Sequence, residues 1–140
     1  MDNSNQTATL VKLGETGRTI ALGDEDIRGR DVKSRSGEDI GKVEDLLIDP
    51  GDDKVRFLIV ASGGFLGLGK DKAFIPVDAV TAVGGEEVTV DQSREHIAGA
   101  PAYDPDLISQ REYQEEVYGH YNYTPYWAAG YMYPGYPYFR

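Results

Sequence analysis

Short β-branched runs separated by glycine, proline and aspartate are the feature of this chain that most constrains its fold. They lie between residues 27 and 92, where Val55–Val60 is apolar enough for a strand buried on both faces. Turn-forming residues separate the runs, most densely at residues 49–53 and at Gly84-Gly85. No apolar period of helical length interrupts them. The pattern predicts a mainly β fold, a small β-barrel over residues 27–92.

Two of these runs allow more detailed predictions. The run from Ile40 to Ile48 contains Val43–Leu46, which does not alternate cleanly between apolar and polar residues. We therefore expect a bulge or a barrel bend in its early part. Residues 72–77 also have the pattern of a strand, and they follow the glycine-rich segment 63–69.

Three segments flank the predicted barrel. Residues 1–26 contain scattered leucines without sustained periodicity, so we expect an arm with room for one short strand, mobile rather than packed. Residues 93–118 have the pattern of a short helical extension. Residues 119–140 are a low-complexity tail rich in tyrosine, glycine and proline, in which regular helix or central strand is disfavoured.

The helical extension has two parts. Residues 93–97 predict a helical turn, capped by Ser93 or Asp91. The segment Asp104-Pro105-Asp106 is typical of a helix start, with proline and acid in the first turn. We expect this second helix to run to about Tyr118. Its predicted inner face consists of Leu107, Ile108, Tyr113 and Val117.

Charge and composition exclude several classes of function. The chain has 24 acidic and 14 basic residues, a formal net charge of -10, which repels nucleic-acid phosphates and anionic membranes. It has no cysteine, so disulfides, thiolate nucleophiles and cysteine metal sites are excluded. No apolar run approaches the roughly 20 residues of a membrane span, and residues 1–9 lack the pattern of a signal peptide. We expect a soluble cytoplasmic protein.

No catalytic or cofactor-binding constellation is visible. His96 and His120 have no partnered nucleophile, so neither is predicted to be catalytic. Gly64–Lys70 has the pattern G-x-x-x-x-G-K of a phosphate-binding loop, but Asp71 stands where that motif requires serine or threonine. A strand pattern, not a helix, follows it. We therefore predict no enzyme activity and no cofactor.

Two charged clusters leave alternatives open. Asp49, Asp52 and Asp53 are hard oxygen ligands of the kind calcium prefers, but their spacing is not that of an EF-hand and they also make a good turn. No metal site is assigned to them. The most basic stretch contains Arg28, Arg30, Lys33 and Arg35. It predicts a solvated barrel edge, with an acidic or RNA partner as the alternative.

Aromatic residues mark two candidate contact surfaces. Tyrosine and tryptophan combine a large apolar area with a hydrogen-bonding tip, and they are enriched at interfaces. The predicted interaction residues are Phe65, Leu66 and Leu68 in the glycine-rich segment and Tyr126, Trp127, Tyr131, Tyr133, Tyr136 and Tyr138 in the tail. Three roles are open for the tail: a flexible segment that associates with other chains, a segment folded across its own or a neighbouring barrel, or an aromatic strip for glycans or an envelope surface.

The middle of the chain resembles the PRC-barrel family, named from the photosynthetic reaction-centre H subunit and also found in a ribosome-maturation factor. The resemblance covers residues 27–91, nearly half of the chain. Its elements are Ile27–Val32, Gly37–Asp49, Phe57–Val60, Gly63–Gly69 and Phe74–Val80. These are hydrophobic and glycine patterns, so their order along the chain is more specific than any one of them.

The resemblance implies a compact barrel used for association, without catalytic residues. The chain lacks the transmembrane helix of the reaction-centre subunit and the additional barrel of the maturation factor, so it is most similar to stand-alone bacterial members. We expect a non-catalytic adaptor with an unknown protein partner, and an RNA- or ribosome-associated factor is the alternative. A barrel of about 65 residues has a small core, rarely worth more than roughly 3–5 kcal/mol, so we also expect a homodimer.

Overall fold

A computed structural model shows seven strands and three helices among the residues that it describes. It describes residues 10–16, 26–49, 54–62 and 71–133. The strands are β1 (Val11–Lys12), β2 (Asp31–Lys33), β3 (Asp39–Asp49), β4 (Lys54–Ser62), β5 (Lys72–Pro76), β6 (Val80–Val83) and β7 (Glu87–Val90). The helices are α1 (Leu13–Thr16), α2 (Arg94–Ala98) and α3 (Arg111–Tyr121), and a 3₁₀ turn covers Val77–Ala79.

The strands form one sheet in the order β5-β4-β3-β2-β7-β6, with β1 paired to β3. All neighbours are antiparallel except β2 and β7, which run parallel. The two edge strands, β5 and β6, are consecutive in the sequence and are joined by the 3₁₀ turn at residues 77–79. Among the described strands no hydrogen-bonded ladder pairs β5 with β6, so the sheet is not closed between these two edges. The turn at residues 77–79 connects them along the chain. The predicted mainly β fold is confirmed.

The predicted irregularity in β3 is also confirmed. Val43 pairs with Val60 and Asp45 with Ile59, which leaves Glu44 as an extra residue in the ladder. Gly41 precedes this bulge with a φ of 148°, and a Cβ there would lie 2.1 Å from the Ala61 carbonyl oxygen on β4. Only glycine allows this close approach of the two backbones.

The strand Val55–Val60 is buried on both faces, as its composition predicts. Aromatic side chains contribute to this burial. Phe57 of β4 stacks on Phe74 of β5 at 4.2 Å between ring centroids and packs against Tyr118 of α3 at 5.1 Å. Tyr113 of α3 stacks on Phe74 at 5.5 Å. The core of the molecule therefore continues from the barrel into α3.

The N-terminal arm is packed where it is described, contrary to the prediction of a mobile segment. Leu10 and Leu13 are buried in the core, and β1 pairs with β3 through Val11 and Ile48. The short strand that the arm had room for is present. The described leucines of the arm, Leu10 and Leu13, are too few to give a periodic signal in the sequence.

The helical extension begins differently from its prediction. Ser93 caps α2 as expected, its hydroxyl accepting from the His96 amide at 3.0 Å. The predicted helix start at Asp104 is wrong, because α3 begins at Arg111. The Asp104 side chain instead accepts from the Asp106 amide at 2.9 Å, which closes a local turn.

Helix α3 also extends beyond its predicted end, to Tyr121, so three residues of the predicted tail are helical. Asn122 ends it in the left-handed conformation, with φ 67°. The inner face contains Tyr113 and Val117 as predicted, whereas Leu107 precedes the helix and is exposed. Gln114, Tyr118 and Tyr121 are the buried residues that the prediction missed.

Candidate interaction surface

A second β-bulge places a charged side chain under the C-terminal tail. Leu47 pairs with Phe57 and Ile48 with Val55, so Arg56 is the extra residue on β4. Bulges re-aim side chains out of the regular alternation of a strand. Arg56 is 3% exposed, and a buried guanidinium requires partners that compensate its charge.

Among the described residues, these partners include the Asp49 carboxylate and rings of the tail. The Arg56 Nη2 atom lies 3.4 Å from Asp49 Oδ2. Its guanidinium carbon lies 4.3 Å from the Tyr126 ring centroid, 5.6 Å from that of Tyr133 and 6.0 Å from that of Tyr131. Cation–π attraction is strongest where water is excluded. Arg56 therefore holds residues 122–133, which we call the tyrosine strap, against the barrel.

Two further residues, Tyr133 and Trp127, hold the strap in place. The Tyr133 hydroxyl donates to the Val55 carbonyl oxygen at 3.2 Å, and Lys54 Nζ lies 4.8 Å from the Tyr133 ring centroid. Trp127 packs edge-on against Tyr118 at 6.0 Å, and the Arg111 guanidinium carbon lies 4.3 Å from its ring centroid. Of the three roles left open for the tail, residues 122–133 show the one in which it folds across its own barrel.

Part of the strap remains open to solvent. Tyr126, Trp127, Tyr131 and Tyr133 are half-buried, and Met132 is 83% exposed. Four of the nine predicted interaction residues are thus brought together in one surface. The other five, Phe65, Leu66, Leu68, Tyr136 and Tyr138, lie outside the described residues.

A polar cluster lies beside Arg56. Burial raises the pKa of the Asp78 carboxyl, and Asp78 Oδ1 is buried without a hydrogen-bond partner. The hydroxyls of Tyr118 and Tyr131 are also buried and unpartnered, and burial raises the pKa of both phenols. The Tyr131 hydroxyl lies near enough to the Asp78 carboxyl to influence its pKa, but the two groups do not meet with good hydrogen-bond geometry.

Sequence reasoning missed the residues that hold this surface together: Arg56, Lys54, Asp78, Arg111 and Tyr118. One signal was present. Arg56 interrupts an otherwise apolar strand, and a charge in such a strand needs partners from elsewhere in the chain. Nothing in the local sequence identifies those partners as tyrosines about 70 residues further on.

Three of the four basic residues at positions 28–35 engage groups of the same chain. Arg28 binds Asp26 through two nitrogens, at 2.8 and 2.5 Å, which lowers the pKa of that carboxyl. Lys33 lies 3.6 Å from Asp39, and Arg30 donates to the Gly84 carbonyl oxygen at 2.8 Å. A neighbouring lysine, Lys42, pairs with Asp31 at 2.5 Å. These pairs favour the predicted solvated barrel edge.

The two histidines meet although 24 residues separate them. Their rings stack at 4.0 Å, and the Nε2 atom of each lies within hydrogen-bond distance of the other's main-chain carbonyl oxygen, at 2.7 Å for His96 and 2.6 Å for His120. Each Nε2 must carry a proton to donate to a carbonyl. The pair therefore links α2 to the end of α3.

The acidic side chains and histidines of the described residues do not converge on a metal site. No group of three or more of them is placed to hold a metal ion. Asp49 pairs with Arg56, while Asp52 and Asp53 of the aspartate cluster lie outside the described residues. The loop Gly64–Lys70 lies outside them too. No described helix is long and apolar enough to cross a bilayer.

The fold and this surface define a class of protein: a small open β-barrel extended by a helix and covered by an aromatic C-terminal segment. The family model of the PRC-barrel domain matches residues 20–97. The chain therefore belongs to the PRC-barrel domain family, as the resemblance indicated. Among curated proteins, none matches the chain.

Proposed function

We propose that this protein is a non-catalytic adaptor that binds a protein partner through the exposed side of the tyrosine strap. The observation that supports the proposal best is the Arg56 contact, which holds half-buried aromatic side chains in place before any partner arrives. Aromatic residues and methionine are enriched at interfaces, and pre-ordered side chains lose less entropy on binding. Met132, 83% exposed, would lie at the centre of the contact.

The experiment is affinity capture from the source cells with the full chain and two surface variants, read by mass spectrometry. Met132→Glu adds a charge to the proposed contact. Leu107→Glu adds the same charge to a residue that is 39% exposed and precedes α3. We expect a defined partner that is captured by the parent and by Leu107→Glu and lost with Met132→Glu. A partner that Met132→Glu retains would contradict the proposed surface.

Self-association is a separate part of the proposal. We expect a homodimer, with Phe65, Leu66 and Leu68 as the candidate contact, and a cytoplasmic location. The small-core argument for a dimer is weaker than the sequence suggests, because α3 adds buried aromatic area to the barrel. Light scattering at tens of micromolar tests it, and a monomer mass there would refute the dimer.

The RNA-associated alternative predicts binding that weakens steeply with salt. Its sequence support was the basic stretch at residues 28–35, whose Arg28, Arg30 and Lys33 engage acidic or carbonyl groups of the same chain. No described feature favours it over the adaptor. Absence of RNA binding at low salt would remove it.

A further inference from the structure

Met132 is the one sulfur-containing residue among those that the structure describes. The chain has no cysteine, and its other methionine, Met1, lies outside the described residues. Met132 is 83% exposed, whereas Leu107, the other large apolar side chain exposed in the described chain, is 39% exposed. Susceptibility of a sulfur atom to oxidation follows its exposure. The Met132 thioether is therefore open to oxidants, and no thiol of the same chain competes with it.

The two neighbours of Met132 hold it in solvent. The Tyr133 hydroxyl donates to the Val55 carbonyl oxygen at 3.2 Å. On the other side, the Tyr131 ring centroid lies 6.0 Å from the Arg56 guanidinium carbon. Burial of a methionine side chain is normally favourable, but Met132 cannot turn towards the barrel while both tyrosines lie on that side. The fold thus presents the sulfur at a fixed place on the strap.

We propose that Met132 is a site of reversible oxidation, and that its sulfoxide weakens the contact made by the strap. The oxidant is hydrogen peroxide. The thioether sulfur attacks one peroxide oxygen, and the S–O bond forms as the O–O bond breaks. The sulfur loses two electrons to the peroxide, and the second oxygen leaves as water after taking the proton of the first. Methionine sulfoxide reductases reverse the change, because a dithiol supplies two electrons and two protons and yields the thioether, a disulfide and water.

The sulfoxide changes the surface of the strap while leaving its attachment intact. Arg56 contacts the rings of Tyr126 and Tyr133, and Met132 takes no part in these contacts. Oxidation converts a flexible apolar side chain into a polar one, so a partner loses apolar contact area where it meets Met132. This consequence rests on the proposed function, since it requires the partner to cover Met132. The oxidation itself does not.

The first experiment treats the purified full chain with hydrogen peroxide and follows the gain of one oxygen by mass spectrometry. Trypsin places Met1 and Met132 on different peptides, residues 1–12 and 112–140. We expect Met132 to oxidise within about twofold of the rate of N-acetyl-methioninamide. Trp127 emission should not shift, and sulfoxide reductases should restore the thioether. A rate at least about tenfold below the reference, or an emission shift that reports release of the strap, would overturn the proposal.

Retention on a phenyl column at high salt measures the apolar surface without a partner. We expect the oxidised chain to elute earlier than the untreated chain, and the re-reduced chain to return to the original position. Met132→Leu is the matched control, because leucine keeps the apolar bulk and has no sulfur to oxidise. Its retention is compared before and after peroxide and is expected not to change. An equal shift in Met132→Leu would overturn the assignment to Met132.

Affinity capture with the oxidised chain separates this proposal from the adaptor role. We expect oxidation to weaken binding of the partner that Met132→Glu loses at least about tenfold, and reduction to restore it. A partner that Met132→Glu loses but the oxidised chain binds at full strength would overturn the regulation and leave the adaptor role standing. A partner that both retain would refute the adaptor surface and the regulation together, and the peptide and column results would still decide the oxidation site.

Discussion

At the scale of single residues, Arg56 connects the barrel to the strap. It is 3% exposed, and its positive charge is balanced by Asp49 at 3.4 Å and by the Tyr126 ring at 4.3 Å. A buried pair of this kind contributes little over an apolar replacement of the whole pair, but loss of one member leaves the other charge uncompensated. Arg56 therefore determines whether the strap lies on the barrel.

We expect Arg56→Met to lower the free energy of unfolding by about 3 kcal/mol. The matched control is Lys54→Met on the same strand, since Lys54 is exposed and contacts one described ring, that of Tyr133. Loss of this contact should lower the free energy of unfolding by less than about 1 kcal/mol. Urea unfolding measures both, and Trp127, the single tryptophan, reports release of the strap by fluorescence. Equal effects of the two variants would refute the special role of Arg56.

The buried tyrosines make the fold sensitive to alkali. Burial raises the pKa of Tyr113 to about 12, from an ordinary value of 10.0, and also raises the pKa values of Tyr118, Tyr121 and Tyr131. The folded chain then holds more protons than the unfolded chain above pH 10, so stability falls as the pH rises from about 10 through 12.

We expect the tyrosines to titrate in two groups when absorbance at 295 nm is followed against pH. The first group should ionise near the ordinary pKa, and the second should ionise together with unfolding, seen as loss of the circular dichroism signal. Tyr113→Phe removes one late phenol and also the hydrogen bond from its hydroxyl to the Ala102 carbonyl oxygen at 2.6 Å. Ionisation of all ten tyrosines near pH 10 with the fold intact would contradict the burial.

At the scale of elements, the contact between β3 and β4 depends on Gly41. Its φ is 148°, and a Cβ at this position would lie 2.1 Å from the Ala61 carbonyl oxygen, so there is no room for a side chain. The two bulges, at Glu44 and Arg56, lie on opposite strands of this same ladder. The β3–β4 ladder thus contains both the close approach of the two backbones at Gly41 and the two bulges, which bend the sheet.

Gly41→Ala should be severely destabilising, by about 4 kcal/mol or more, because β4 must move away from β3 to relieve the clash. Gly85→Ala is the control, since a Cβ at Gly85 meets nothing within 4 Å. Thermal unfolding of the two variants compares them directly. A Gly41→Ala variant as stable as Gly85→Ala would show that the ladder can widen at little cost.

At the scale of the whole molecule, barrel, helix and strap share one core. Buried residues run from Leu10, next to β1, through the barrel strands to Tyr121 at the end of α3. The barrel therefore cannot be separated from the helical extension as an independent domain without exposing Phe57 and Phe74, which Tyr118 and Tyr113 cover.

A pair of truncations tests this shared core. Residues 1–111 lack Tyr113, Val117 and Tyr118, and removal of each buried aromatic costs about 3–5 kcal/mol, against a total stability of about 5–15 kcal/mol. We expect this fragment not to fold cooperatively. Residues 1–121 keep α3 and lose only residues 122–140, so we expect a folded but less stable chain. Calorimetry distinguishes them, and a cooperative transition of fragment 1–111 would contradict the shared core.

Local sequence determined much of the barrel. The apolar run Val55–Val60, the irregularity near Glu44 and the cap at Ser93 follow from neighbouring residues, because side-chain alternation and capping act over a few positions. The start of α3 did not follow, although Asp104-Pro105-Asp106 is a good helix signal. The same aspartate oxygen can close a turn, and packing of Tyr113 on Phe74 fixed where the helix lies.

By itself the sequence determined the class of fold, the acidic surface and an aromatic C-terminal segment of unassigned role. The tertiary structure alone decided that residues 122–133 lie on their own barrel, and that His96 meets His120. The physical reason is sequence distance: the Arg56 bulge and the strap are about 70 residues apart, and cation–π contacts and ring stacking carry no periodic signal along a chain. The contacts of the strap with Arg56 form only when the sheet is curved and α3 packs on Phe57.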